Sequence, residues 1–290
     1  MEELKSPKKF LLVSYILNII AIILFFSAPQ LAVVFAGIAS AIYHVSGGSI
    51  CAEENKAFHI GLFASPGVAG LIAGGFIAFR EINILPWLLI AAIGFFILLF
   101  FIPGRKYNSL EQDKTESVTQ KIIFDRHDLI MILLLTVISL RSVIWNVFQL
   151  AHENNYQWLI AIAISAFAGK LIGGWAADKV GWRLYTYFSL IVATPLISFF
   201  RNEIVLFCIG IGLLQSSIPA TTSLLIHSLK GKKERAIGLS FGTAILAGAI
   251  VFYSPVRNLL DSNVFLSLLT LLMIFFLFFS GKKRVFSLFN

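Results

Sequence analysis

Two cationic side chains stand inside long apolar runs of this 290-residue chain. Charge in such a place needs a partner. Arg141 lies about 13 residues into the run Leu129–Leu150, too deep in a membrane-spanning helix to reach water easily. Holding it there costs several kcal/mol unless it meets a water-filled cavity or an anionic group. Carbonyls and hydroxyls such as those of Ser139 or Ser142 are the alternative. Lys170 stands eight residues before Asp178, about 12 Å along a helix. It either lines the same water-filled path or snorkels toward the nearer face. His44, among the small residues Ser46, Gly47, Gly48 and Ser49, is either a satisfied packing residue or a proton and substrate contact. All 15 acidic residues lie in loops or at the ends of apolar runs, so a proton relay has no carboxylate carrier. Cations without carboxylates favour an anionic or amphipathic solute. There is no Walker loop and no His/Cys group with metal spacing, so no cofactor and no metal is expected.

A second constellation, Gly173-Gly174-Trp175-Ala176-Ala177-Asp178-Lys179-Val180-Gly181-Trp182-Arg183, separates two apolar runs. Its small residues let a helix end approach a neighbour closely. Asp178 can cap the positive N-terminus of another helix, Gly181 permits a tight turn, and Lys179 and Arg183 hold the loop in the cytoplasm. The stretch resembles the signature loop of the major facilitator superfamily of transporters, G-x-x-x-D-[RK]-x-G-x-[RK], through Gly174, Asp178, Lys179, Gly181 and Arg183. Trp182 stands where that family usually has Arg, which weakens any ion pair within the loop. The resemblance implies that Asp178 meets the N-terminus of a neighbouring helix, expected here to be the one over Ala236–Pro255. Tyr43-His44 with the glycines after it, and Leu140-Arg141-Ser142, are similar to short segments of the fosmidomycin-resistance group of exporters. Gly61 to Gly75 resembles, in degenerate form, the G-P-x-x-G-G motif of drug–proton antiporters. There Pro66 is expected to kink the helix, and Gly70 and Gly74 to offer a small packing face. These likenesses favour export.

The elements that must position these residues are membrane helices. The chain is 58% hydrophobic and 13% charged, with 28 Phe and a mean hydropathy of +0.87. A soluble domain carries about a quarter charged residues. Apolar runs of about 17–25 residues number ten, from Phe10–Phe26 to Val264–Ser280. The expected fold is all-α and polytopic, with ten transmembrane helices arranged as four and six. Of the 23 Lys and Arg, only Arg80, Arg201 and Arg257 fall in outside loops, and only Arg141 and Lys170 inside runs. That asymmetry places both termini in the cytoplasm, and the resemblance implies a bacterial inner membrane. It also argues against nucleic acid as the reason for the +8 charge. Residues 103–127 read as a cytoplasmic linker between bundles at 1–102 and 128–290.

An internal repeat links the two bundles. Gly61-Leu62-Phe63 and Gly238-Leu239-Ser240 open corresponding runs at an offset of 177 residues. The same offset carries the signature loop back to the start of the chain, so the first bundle is expected to lack its first two helices. The leading reading is a secondary transporter that moves a small organic solute through the bilayer by alternating access. The alternative is a transport-incompetent truncated transporter, or a membrane subunit needing the missing N-terminal helices or a partner chain. No cluster of acid, base or nucleophile shares one membrane depth, so an enzyme is not expected.

Overall fold

Long uninterrupted apolar runs leave the backbone no partner in lipid except its own helix, and helices are what form. The computed structural model describes residues 7–80, 82–101, 126–151, 155–229 and 232–281. Most of the expected linker, 103–127, lies outside them. In chain order the helices are α1 (Pro7–Leu24), α2 (Pro29–Cys51), α3 (Ala57–Phe79), α4 (Leu85–Phe101), α5 (Arg126–Ala151), α6 (Tyr156–Val180), α7 (Trp182–Phe199), α8 (Ile204–Ser228), α9 (Lys233–Ala249), α10 (Ser254–Leu260) and α11 (Asn263–Phe279).

Each of the ten expected runs is helical over most of its length. By length and apolar composition, however, seven helices among the described residues suffice to cross a membrane, or eight if α10 and α11 make one span bent by 81°. α4 has 17 residues, and α7 is diluted by Arg183, Tyr185, Tyr187 and hydroxyl residues whose side chains turn inward. The ninth run also ends earlier than Ala236–Pro255 implies. α9 stops at Ala249, a 3-10 turn follows, and Pro255 sits in the first turn of α10. Proline fits there because the first amides of a helix have no internal acceptor.

The chain forms two compact units. One comprises residues 1–50 and 76–124. In it α1 packs on α4, and Tyr15 meets Tyr43 edge-on at 6.3 Å and Phe95 at 6.5 Å. The other comprises residues 51–75 and 125–290, so the first part of α3 clusters with α5 to α11. Its core is built from Leu134, Ile138, Ile144 and Phe148 of α5, with Ile162, Leu190, Ile197, Phe207 and Ile211 from α6, α7 and α8. Phe148 and Phe207 meet edge-on at 4.9 Å.

The tightest seam in this unit joins α6 to α8. A Cβ added to Gly173 would lie 2.6 Å from Ser216 Cα, and one on Gly169 would lie 2.8 Å from the Gly212 carbonyl carbon. Glycines one turn apart on α6 thus face Gly212 and Ser216 of α8, the small-residue seam by which helices associate in lipid. Gly174 makes a second close approach, with an added Cβ 2.8 Å from the Ala57 carbonyl oxygen on α3. Gly70 and Gly74 do not take part in such contacts: a Cβ on either would meet nothing within 4 Å. Pro66 lies within continuous α3, exposed.

Candidate functional site

One stretch of α8 is dense in buried polar side chains. Gln215, Ser216, Ser217, Thr221, Thr222 and Ser223 are all buried. Most of these hydroxyls bond backbone carbonyls one turn earlier, as Ser217 does to Leu214 and Thr221 to Ser217. A hydroxyl that donates to its own helix keeps its lone pairs for another donor. That donor is Arg141. From α5 its Nη1 reaches Thr221 Oγ1 at 2.9 Å and Ser217 Oγ at 3.4 Å. The partners are hydroxyls, as one alternative held, but on α8 rather than Ser139 or Ser142 of its own helix.

Arg141 is 4% exposed. A hydrogen bond from a charged donor returns about 1.5–3 kcal/mol, and the longer of these two returns less. Burying an Arg at a helix centre costs about 2.5–3.5 kcal/mol on the mildest scale. The hydroxyls therefore offset much of the burial without supplying a counter-charge. Both hydrogen bonds leave from Nη1, so the Nε–Nη2 edge has no acceptor among the described residues.

Lys170 does not snorkel. From α6 its Nζ donates to the Ala64 carbonyl of α3 at 3.3 Å. Gly61 allows this approach: a Cβ there would crowd the Lys170 carbonyl and stand 3.1 Å from Pro219 Cγ. Pro219 is two residues from both Ser217 and Thr221, so it stands on the opposite face of α8 from the hydroxyls that hold Arg141. The two cations thus meet different acceptors among the described residues, Arg141 the hydroxyls of α8 and Lys170 a carbonyl of α3. His44 belongs to the other compact unit, where it is half-buried and edge-on to Tyr43 at 5.7 Å.

The glycine-rich loop is a separate structure at the end of α6. Gly181 adopts φ 102°, which a side chain would resist, and turns the chain directly from α6 into α7. Asp178 reaches a helix N-terminus, but that of α3 rather than the helix beginning near Ala236. Its Oδ1 accepts from the Ala57 amide at 2.8 Å and its Oδ2 from the Phe58 amide at 2.9 Å. These are two of the amides an α-helix leaves without an internal acceptor, and the dipole there favours an anion. Trp182 completes the arrangement: its indole Nε1 donates to Asp178 Oδ1 at 2.8 Å. Lys179 lies over the Trp175 ring at 4.1 Å. Arg183 donates to the Leu277 carbonyl at 3.2 Å and to Ser280 Oγ at 3.1 Å, satisfying carbonyls at the C-terminal end of α11 where a cation is favoured. Asn55, Lys56, Ala177, Asp178, Gly181 and Trp182 line a shallow recess of about 370 Å³.

Sequence reasoning missed four of these features: the hydroxyl partners on α8, the indole bond to Asp178, the Arg183 cap, and a bidentate contact between Arg201 and Asp261. The first had a signal. Six polar residues within Gln215–Ser223 are too many for a lipid-facing helix, and they marked α8 as an inward wall.

The helices, their close glycine seams and the loop at Asp178 together have the fold of major facilitator superfamily transporters, and the chain is an integral membrane protein. In particular, the E. coli fucose:proton symporter FucP, in a single-residue variant, matches with a TM-score of 0.65 at 12% identity, over 96% of this chain and 84% of that chain. A second structure, of the major facilitator superfamily transporter FucP in the outward conformation, matches with a TM-score of 0.68 over the same shares at 12% identity. No protein-family model and no curated protein matches the chain.

Proposed function

We propose that the chain is a secondary transporter that moves a small organic anion, or an amphipathic solute with an anionic group, by alternating access. The observation that carries this reading is Arg141: a buried guanidinium, mid-helix, whose Nε–Nη2 edge has no acceptor and which has no counter-charge among the described residues. A residue serving only the fold would be matched by the fold, because an unneutralised buried charge is a standing cost. Lys170, on α6, is a second cation within the helices, held by a carbonyl of α3. The fold supports transport as the setting, since proteins of this architecture hold their solute near the bilayer midplane.

The moving bodies are proposed to be the bundles at 1–102 and 128–290. On that division the contacts of α3 with α6, through Asp178, Lys170 and Gly174, form a seam between the bundles. Directed hydrogen bonds of this kind can part and re-form as bundles rock. Export is the proposed direction, resting on the exporter-like segments at His44, at Arg141 and along α3. The membrane is proposed to be a bacterial inner membrane, with both termini cytoplasmic.

The test is a flux comparison. Cells expressing the native chain and cells expressing Arg141→Ala at equal membrane abundance are compared for small organic acids inside and outside, by untargeted mass spectrometry. At least one anionic solute should shift its distribution with the native chain and not with the variant. If no solute separates the two, the transport reading falls.

A further inference from the structure

The connection before the last helix exposes too much apolar surface for a loop in water. The span that holds α9 runs on to Phe252, and α11 begins at Asn263. Most of the connection is the seven-residue α10, set at 81° to α11. A helix nearly perpendicular to a spanning helix runs along the bilayer surface. At 3.6 residues per turn, α10 has three faces. Val256 and Leu260, one turn apart, are partly buried, and Leu260 packs on Val143, Val147 and Val251. Pro255 and Leu259 form an exposed apolar face, and exposed Phe252 and Tyr253 precede it. Ser254 and Asn258 form an exposed polar face, with Arg257 beside them and nearly opposite Leu259. A helix with one polar and one apolar exposed face suits the boundary between headgroups and acyl chains, and Tyr is enriched at that level.

Arg257 is the unmatched charge on this helix. The carboxylate one turn on, Asp261, is taken by Arg201, which grips its side chain and its carbonyl. No carboxylate among the described residues lies within ion-pair distance of Arg257, and its guanidinium has no hydrogen-bond acceptor among them. A guanidinium has the fork that grips a phosphate through two hydrogen bonds. A lipid standing beside α10 has its phosphate at the level of the polar face and its chains at the level of the apolar one. A free inorganic anion would meet the charge and leave Leu259, Phe252 and Tyr253 uncovered.

We propose that α10 lies in the headgroup layer and binds an anionic phospholipid, with acyl chains against Pro255 and Leu259 and the phosphate on Arg257. The site rests on the chain's being a membrane protein and not on the transport reading. On the topology proposed above it faces the outer leaflet.

The test places a bimane label on the full-length chain, reconstituted in phosphatidylcholine vesicles, with Cys51 and Cys208 replaced by Ser. Leu259→Cys puts the label on the apolar face and Asn258→Cys puts it on the polar face. Brominated acyl chains should quench the first label, and aqueous iodide the second. At equal mole fraction, brominated phosphatidylglycerol should quench the Leu259→Cys label more than brominated phosphatidylcholine does. Adding Arg257→Gln should lower phosphatidylglycerol binding there about fivefold, the weight of one basic residue at an anionic surface. Glycerol phosphate in the buffer should leave the preference unchanged. Size-exclusion chromatography checks folding; if a labelled variant aggregates, Pro255→Cys and Ser254→Cys, one turn back on the same two faces, replace the pair. Equal iodide quenching on the two faces overturns the proposal, because α10 then stands in water. Equal lipid quenching on the two faces also overturns it, because α10 and α11 then form one bent span inside the bilayer. So does the absence of a phosphatidylglycerol preference, one that survives Arg257→Gln, or one that free glycerol phosphate abolishes.

Discussion

Asp178 accepts three hydrogen bonds, and two of its donors belong to a helix 120 and 121 residues away in sequence. The carboxylate is exposed, so solvent screens its charge and its worth stays near that of an ordinary cap, about 0.5–1 kcal/mol. Asp178→Ala should lower the midpoint of thermal unfolding in detergent by an amount of that order. Asp178→Asn should recover part of it, because one amide oxygen can still accept, and Trp182→Phe should cost less than either. Equal midpoints for Asp178→Ala and the native chain would show that the α3 contact is incidental. Trp182 departs from the loop pattern that this stretch resembles, and its indole supplies a hydrogen bond to the carboxylate without a second charge.

At the level of helices, glycine spacing decides which pairs touch. Gly173 and Gly174 are buried with backbone of α8 and α3 against them, so Gly173→Val or Gly174→Val should cost about 1–3 kcal/mol through overpacking. Gly70→Ala and Gly74→Ala meet open space and should be neutral, or slightly stabilising through better helix propensity. The measurement is the folded fraction after a heat step, read by size exclusion. The pairing idea is wrong if the α6 and α3 variants behave alike. The sequence marked both sets of glycines for close helix contact, and of the two Gly173 and Gly174 make it while Gly70 and Gly74 do not. Gly70 and Gly74 have the spacing of a packing face, yet spacing on one helix says nothing about whether a partner lies opposite. The same gap explains Asp178. The expected repeat offset of 177 residues pairs α3 with α9 in sequence, and such a pairing does not tell which of them a loop will touch. Arg141 was legible as a buried charge because depth can be counted along a run. Its acceptors were not, since Ser217 and Thr221 lie 76 and 80 residues on. Lys170 pointed inward because Gly61 lets α3 come close, a packing fact with no local signature.

For the whole molecule, orientation follows from where charge can cross a bilayer and where it cannot. The loops assigned to the inside carry nearly all the Lys and Arg, whereas the outside assignment holds Arg80, Arg201 and Arg257. Arg201 is not a free surface charge. It grips the side chain and the carbonyl of Asp261 and lies 5.6 Å over the Phe148 ring, tying the turn before α8 to the turn before α11. An Arg neutralised by a carboxylate and stacked on an aromatic ring is a weak orientation signal, which leaves the inside cluster to set the topology. With Cys51 and Cys208 replaced by Ser, single cysteines at Glu54 and Glu203 report opposite faces. A membrane-impermeant maleimide on intact cells should label Glu203→Cys and should reach Glu54→Cys only after the membrane is opened. Labelling in the reverse order would invert the topology. It would also put the Asp178 seam outside, where Lys56, Lys179 and Lys232 would all have had to cross the membrane during insertion against the bias that holds lysines in the cytoplasm.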